Sequence, residues 1–493
     1  MAEELLLGLD IGASSIKAGA FGVDGEPVAL ASCPHAPAQQ PEGQGWFIWD
    51  AGALLGTCRQ LLREISTRVG AAGTIRSIAV TGFGADGAPF SPAGEQRYPI
   101  ISWHDSRARE QIERLAGQLG TELIYATTGY HPYPINTIAR WMWLAERHPD
   151  ALAEATWLMI PDIAAHWLSG EMCSDPTSAS TTMAFDLRRD AWSRELIEAA
   201  RVPPQLPAPR AEPGQPLGNV TSRAAEDTGI PPTTVVAVGG HDCEVGTFAA
   251  TAGLPETTFL DISGTWEILL APTRAFTPSE LQFQRGIDWE RHVSPDTYLC
   301  QSLMPAGSVL AWIRDLAYHR RDDPWGAMVA DARATPPGAG GVTVRPDFVP
   351  GMGPAASSGA AGAILGLRTT TTRGQIARAA FESLCHQLRD QLEVLERSTG
   401  RRCHTLRVLG GGQRNDFWLQ LKADVTGRPV EAVASEELTL LGAALLGGVG
   451  AGVYGSLAEA QRAAEQRIRT FEPDPELSAL YAELSERRRL AGA

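Results

Sequence analysis

The chain has 493 residues, 44% of them hydrophobic and 20% charged, and a formal net charge of −15. That length exceeds a single core and predicts two or more domains of about 200 residues each, while the acidic balance, with no Lys/Arg block beyond Arg487 to Arg489, disfavours a nucleic-acid surface. The seven cysteines at 33, 58, 173, 243, 300, 385 and 403 are scattered, odd in number and never spaced as CxxC, which argues against a disulfide framework or a zinc site and fits a reducing cytoplasm.

Met1 to Leu7 is acidic and then only briefly apolar, unlike a signal peptide, and no apolar run reaches the about 18 residues that span a bilayer. Leu5 to Leu9 predicts a buried strand ending in Asp10, and the following IGASSIKAGAF predicts the return strand of a hairpin. Its bend holds Gly12, Ala13, Ser14 and Ser15, whose backbone N–H groups and hydroxyls can face a phosphate, with Lys17 next. A plain hairpin turn is the competing reading, since the segment is not GxxxxGK[ST]. Asp10 favours a ligand, because a carboxylate at the end of a buried strand is costly unless it meets water, a metal or a donor.

Leu54 to Val69 has helical spacing, and Ile75 to Val80 then reads as a strand running into TGFGADGAPF, which carries Asp86. Such helix-to-strand alternation implies α/β architecture. Ile100 to Trp103 leads into a cluster of Trp103, His104, Asp105 and Arg107 ahead of an amphipathic helix. The cluster can hold a sugar; alternatively Asp105 caps the helix, Arg107 lies on its solvated face and Trp103 is core. Trp141 and Trp143, within a helical segment over Asn136 to Leu144, read as core. Residues 203–216 are proline-rich and predict a linker or surface loop.

The stretch VVAVGGHDCEVGTFAA, Val235 to Ala250, places His241 and Asp242 at the carboxyl end of an apolar strand, after Gly239 and Gly240. Ligands bind at that edge of α/β sheets, and a carboxylate there can accept a hydroxyl proton while a phosphoryl group arrives. The competing reading makes Asp242 a helix N-cap. After Ala250, TFLDISGTWEILLAP repeats the strand, Leu-Asp-Ile, small turn and strand of the opening hairpin, now with Ser263, Gly264 and Thr265 in the turn. Two similar domains facing each other across a nucleotide would give that repeat. Leu303 to Leu316 predicts an amphipathic helix opened by Pro305 and Gly307, and a strand, a Thr-rich turn and a long helix follow in 359–388. LRVLGGGQRNDFWLQL then joins a strand to a helix through Gly410 to Gly412, a joint that can accept an adenosine; a Rossmann site competes but needs G-x-G-x-x-G.

In their order these motifs resemble the FGGY carbohydrate kinases of the actin and sugar-kinase superfamily over nearly the whole chain. Gly362 to Glu382 is similar to the family's second signature; Ile135 to Arg147 meets the first in part, with Arg140 where the family has Lys, a departure expected to matter for local packing only. The resemblance implies two ribonuclease-H-like α/β domains with an interdomain active-site cleft: residues 1–248 for the sugar and catalytic base, and 249–493 for the nucleotide. It implies ATP and Mg²⁺ as cofactors and Asp242 as the base. Asp10, with Asp242, would hold the metal. Gly12, Ser14, Ser15 and Lys17 would face the terminal phosphates, opposite Gly264 and Thr265, and Gly307, Gly411 and Asn415 would line the nucleotide. Asp86, Trp103, Asp105 and His241 would face the sugar, with Arg107 supporting their loop.

Within the family, FGADGA (83–88), YPIISW (98–103) and SGTWEIL (263–269) resemble the branch acting on the ketose L-fuculose, whereas WHDSR is closer to the branches acting on L-rhamnulose and D-xylulose. The expected reaction yields the sugar 1-phosphate and ADP. The expected partner is a small sugar, with neither nucleic acid nor membrane, in a cytoplasmic protein for which a homodimer is the expected assembly. A non-catalytic nucleotide-dependent binding protein on the same fold is the rival from another class, and a dehydrogenase using Gly410 to Gly412 is the third reading.

Overall fold

A computed structural model describes residues 3–70, 73–251, 257–348, 361–433, 435, 437–463 and 467–490. Two sheets dominate it, and each starts with one copy of the Leu-Asp-Ile hairpin. In the first, β1 (Glu3–Ile11), β2 (Ser15–Gly22) and β3 (Pro27–Pro34) run antiparallel. On the other side of β1, β4 (Gly73–Gly82) adds in parallel, β5 (Pro216–Asn219) forms the edge, and β6 (Val235–His241) lies between those two, parallel to β4. The order is β5-β6-β4-β1-β2-β3. Leu5, Leu6, Leu7, Leu9 and Ile11 are all buried because both faces of β1 are covered, which is why a central strand reads as one apolar run rather than an alternation.

The second sheet repeats the plan. Strands β7 (Thr258–Ser263) and β8 (Trp266–Thr273) form its hairpin, β9 (Ile287–Arg291) and β10 (Tyr298–Pro305) extend it antiparallel, and β11 (Thr405–Leu409) and β12 (Val430–Val433) add in parallel beyond β7. With β13 (Ile468–Phe471) at the edge, the order is β9-β10-β8-β7-β11-β12-β13. An antiparallel hairpin flanked by parallel strands, twice in one chain, is the ribonuclease-H-like α/β pair that the sequence led us to expect.

Helix α1 (Ala51–Val69) is capped by Asp50, whose carboxylate accepts the Ala53 N–H at 3.1 Å, and its Leu54, Cys58, Leu61, Leu62 and Ile65 stripe faces the first sheet. Other helices packed on the two sheets are α2 (Asp242–Ala250), α3 (Gly307–Ala317), α4 (Arg373–Thr399), α5 (Asp416–Thr426) and α6 (Leu438–Gly450). The expectation of a helix from Leu303 is corrected: Leu303 to Pro305 continue β10, paired with Ile268 to Trp266 of β8, and the helix opens at Gly307. Cross-strand pairing overrides the local helical spacing there.

A chain split at 248/249 separates the two sheets but not their packing. From the second half, α6 lies on the first sheet, with Leu441 and Leu445 in one cluster with Leu6, Ala79 and Phe248. Gly8 permits this approach, since a Cβ there would collide with the Leu440 carbonyl oxygen. Strand β9 likewise meets the first half: Trp289 N–H donates to Gly129 at 3.0 Å, and Arg291 N–H to Ser180 Oγ at 3.0 Å. All seven cysteines are free, and no helix among the described residues is long and apolar enough to cross a membrane.

Candidate active site

At the end of β1, Asp10 is buried, and no hydrogen bond reaches its Oδ1. Burial, and then the Asp242 carboxylate, push the Asp10 carboxyl well above the usual range, with Lys17 acting in the opposite direction. Lys17 pairs with Asp10 across the hairpin, yet its Nζ bridges both oxygens of Glu437, at 3.0 and 2.8 Å, just before α6. The turn between them is braced: Gly12 N–H donates to Ser15 at 3.0 Å, and His35 Nε2 meets the Gly12 carbonyl at 2.6 Å.

Asp242 follows β6, which β4 separates from β1. The β6–β4 pairing carries a bulge between Ala237 and Gly240, and Gly239 fits there because a Cβ would collide with the Val80 carbonyl oxygen. The N-cap reading of Asp242 is corrected: His241 occupies the cap, and Asp242 is the first helical residue, its Oδ1 accepting the Cys243 N–H at 2.7 Å. The same Oδ1 lies 3.2 Å from His241 Nε2, and the Asp242 side chain remains 24% exposed, which leaves Oδ2 for a ligand. His241 Nδ1 contacts Glu290 Oε2 of β9 at 2.8 Å. Burial disfavours a charged imidazole, but Glu290 and then Asp242 outweigh it and raise His241 to about 9. Burial would raise Glu290 too, yet His241 holds it down at about 2, while Tyr130 OH and Gln301 Nε2 occupy its Oε1.

Of the expected sugar residues, Asp86, Trp103 and Asp105 lie together, with Asp105 close enough to act on the Asp86 carboxyl. Asp86 is fully buried; its Oδ2 accepts from Trp49 Nε1 at 2.8 Å and from the Trp103 N–H at 3.0 Å, and Arg140 lies 3.1 Å from Oδ1. Burial lifts this carboxyl to about 6 against the pull of Arg140. Arg140, expected to matter for local packing, also forms this buried ion pair with Asp86. Asp105 caps no helix, since Ala108 is the cap, and Arg107 lies on no solvated face. Instead Arg107 is buried, forked onto Asp105 at 2.7 and 2.8 Å, with its guanidinium 4.3 Å from the Trp46 ring. Trp103 is half-buried and stacks on His104 at 3.8 Å.

Five expected nucleotide residues converge: Gly264, Thr265, Gly307, Gly411 and Asn415 line one cavity of about 870 Å³ in the second half, together with Trp325 and Trp418. Gly307 N–H donates to the Gly264 carbonyl at 3.0 Å, so the first turn of α3 is tied to the β7–β8 turn. Gly411 to Arg414 form one 3-10 turn before α5, unlike the direct strand-to-helix passage of a dinucleotide fingerprint. Gly12, Ser14, Ser15 and Lys17 line none of it and belong to the opposite hairpin.

Glu437 and Glu290 were not anticipated. Acids 288 and 290 alternate with Ile287 and Trp289 along β9, a polar-apolar pattern visible in sequence, but the partners of Glu290 lie 160 residues away at Tyr130 and 49 away at His241. Glu437 gives only the common signal of an acid ahead of an apolar helix.

Models of the FGGY family of carbohydrate kinases match residues 5–249 with the N-terminal domain and 261–451 with the C-terminal domain. L-fuculokinase of Escherichia coli (strain K12) is 33% identical, over 97% of this chain and 98% of that protein. Autoinducer-2 kinase of the same strain is 28% identical, over 97% and 92%. Among solved structures, xylulose kinase from Rhodospirillum rubrum, 25% identical, matches with a TM-score of 0.86 over 99% of this chain and 98% of that one.

Proposed function

The chain belongs to the FGGY family of carbohydrate kinases, and from that premise we propose that it transfers the γ-phosphoryl group of ATP to a hydroxyl of L-fuculose, giving the sugar 1-phosphate and ADP. One observation carries the choice of sugar: the 33% identity with an L-fuculokinase over 97% of the chain. FGADGA, YPIISW and SGTWEIL point the same way.

In this reading Asp242 is the base. Its Oδ1 is engaged by Cys243 and His241, so Oδ2 accepts the proton of the sugar hydroxyl. His241, clamped by Glu290, fixes the rotation of that carboxylate. Because the phosphoryl-transfer transition state is loose, Asp242 need only orient the hydroxyl and take its proton late. Mg²⁺ fits beside Asp10, where a buried oxygen lacks a partner and a second carboxylate, Asp242, is close enough to be felt. When bound there, the ion neutralises charge on the terminal phosphates. The cavity floored by Gly264, Gly411 and Asn415 takes the nucleotide, and Asp86 holds the backbone of Trp103 toward the sugar.

A coupled ADP-release assay over ketoses, aldoses and polyols tests the reading. The highest kcat/KM is expected for L-fuculose, ahead of L-rhamnulose and D-xylulose. Another ketose in first place sinks the L-fuculose assignment, and WHDSR, with the likeness to a xylulose kinase, makes D-xylulose the second candidate.

A further inference from the structure

The floor of the nucleotide cavity is made of two turns from different parts of the chain, Ser263–Thr265 and Gly410–Asn415, and they meet backbone to backbone at Ser263. Gly410 takes φ +78°, and a Cβ there would come within 2.9 Å of the Ser263 carbonyl oxygen; at Gly412 a Cβ would collide with Ser263 Oγ. No side chain fits between the turns at either position, so they are in direct contact at Ser263.

Lys422 of α5 lies directly beneath this junction. It is 1% exposed, and its Nζ donates to Asp261 Oδ2 at 2.6 Å, to Ser263 Oγ at 3.1 Å and to Glu267. Its ammonium also sits 4.4 Å from the centre of the Trp418 ring, and Trp418 lines the cavity. One cation thus ties β7, β8 and α5 together at the residue where both nucleotide turns touch, while no part of it lines the cavity. Each of its three oxygen partners belongs to the β7–β8 hairpin, and Asn415, which lines the cavity, caps the helix that carries Lys422.

We infer that Lys422 is a positioning residue for the nucleotide: through Asp261, Ser263 and Glu267 it sets the distance between the Gly264–Thr265 and Gly411–Asn415 turns. This rests on the nucleotide reading of the cavity given above. Two buried carboxylates on one lysine also make a sealed structural anchor, so the readout must separate nucleotide affinity from folding and from the sugar site.

The test is calorimetric titration of ADP into the full chain, without sugar, for wild type, Lys422→Met and Ser263→Ala, with KM for the ketose and thermal melting measured alongside. Lys422→Met is expected to weaken ADP about tenfold or more and Ser263→Ala about threefold, while the sugar KM stays within about twofold in both. A cooperatively melting Lys422→Met that binds ADP like wild type overturns the inference. Should Lys422→Met fail to fold, Ser263→Ala decides, and unchanged ADP affinity there overturns it. Parallel losses of ADP and sugar affinity overturn it as well, because they mark general loosening. If ADP does not bind wild type at all, the nucleotide reading of the cavity fails instead.

Discussion

The two Leu-Asp-Ile hairpins share their place in the strand order, though residues 12–14 connect the first and 264–265 the second, and they treat their aspartates in opposite ways. In the first, the lysine across the hairpin turns away to Glu437, and Asp10 receives no hydrogen bond or ion pair among the described residues. In the second, Lys422 comes in from α5 and neutralises Asp261 at 2.6 Å. Burial and then Asp261 push the neighbouring Glu267 carboxyl up to about 8, against the pull of the same Lys422 ammonium. A buried acid without a partner is unstable unless a ligand supplies one, whereas a paired acid is structure. Within the repeat the motif is shared, and the two copies differ in what their aspartates meet.

The largest expected effect lies beside the open copy. Asp242→Asn keeps the shape and removes the charge and the proton acceptor, so kcat should fall about a hundred- to ten-thousand-fold, roughly 3 to 5 kcal/mol of barrier, with sugar KM little changed. Near-normal kcat with a melting point several degrees lower would return Asp242 to a helix-end role.

The two aspartates should then part. Asp10→Asn is expected to lower kcat about a hundredfold while leaving the melting point equal or higher, since it removes an unpaired buried charge. Asp261→Asn should cost about 1 to 3 kcal/mol of stability and reduce kcat less than tenfold, because it strips one partner from a buried lysine. Denaturant unfolding and steady-state rates on the same preparations check both, and equal behaviour of the two variants would erase the distinction.

Much of this contrast was legible beforehand and part was not. Asp10, Asp242 and the small-residue turns stand at strand ends, where an acid or a glycine breaks an apolar run, and local spacing reveals that. The repeat disclosed the second hairpin for the same reason. Hidden were the partners: Lys17 finds Glu437 across 420 residues, Lys422 finds Asp261 across 161, and Arg140 finds Asp86. Arg107 could be read from sequence either as part of the sugar-facing cluster or as a solvated helix residue, because its neighbours in sequence are polar; its packing on Trp46 and Trp143 appears only in the fold. The helix expected from Leu303 began late because β8 claims Leu303 to Pro305 by pairing. Long-range ion pairs and strand register are properties of the assembled sheet, and local periodicity does not carry them.

Titration sharpens the sealed copy. Glu267 in the fold is raised to about 8 from 4.5, so between those values unfolding releases its proton and stability falls as pH rises, by up to roughly 1.4 kcal/mol per pH unit. Glu267→Gln mimics the protonated form and lacks this slope. Its melting advantage over wild type should therefore grow from pH 5 to pH 8 and then level, and a constant difference would show that Glu267 is already ionised within the cluster.

The smallest expected effect converts the open hairpin toward the closed one. Lys17 and Glu437 are 30% and 27% exposed, so their pair contributes at most about 1 kcal/mol, and Glu437→Gln should leave the melting point nearly unchanged. Once released, Lys17 has Asp10 as its paired neighbour across the hairpin and is expected to swing toward that carboxylate, as Lys422 sits on Asp261. A lysine there competes with the divalent cation for the same oxygens. The Mg²⁺ concentration giving half-maximal rate should rise about threefold, with kcat recovered at saturating Mg²⁺, the size expected when an exposed ion pair of under 1 kcal/mol is redirected. A loss of kcat that excess Mg²⁺ does not restore would mean instead that Glu437 holds Lys17 in place for the phosphates.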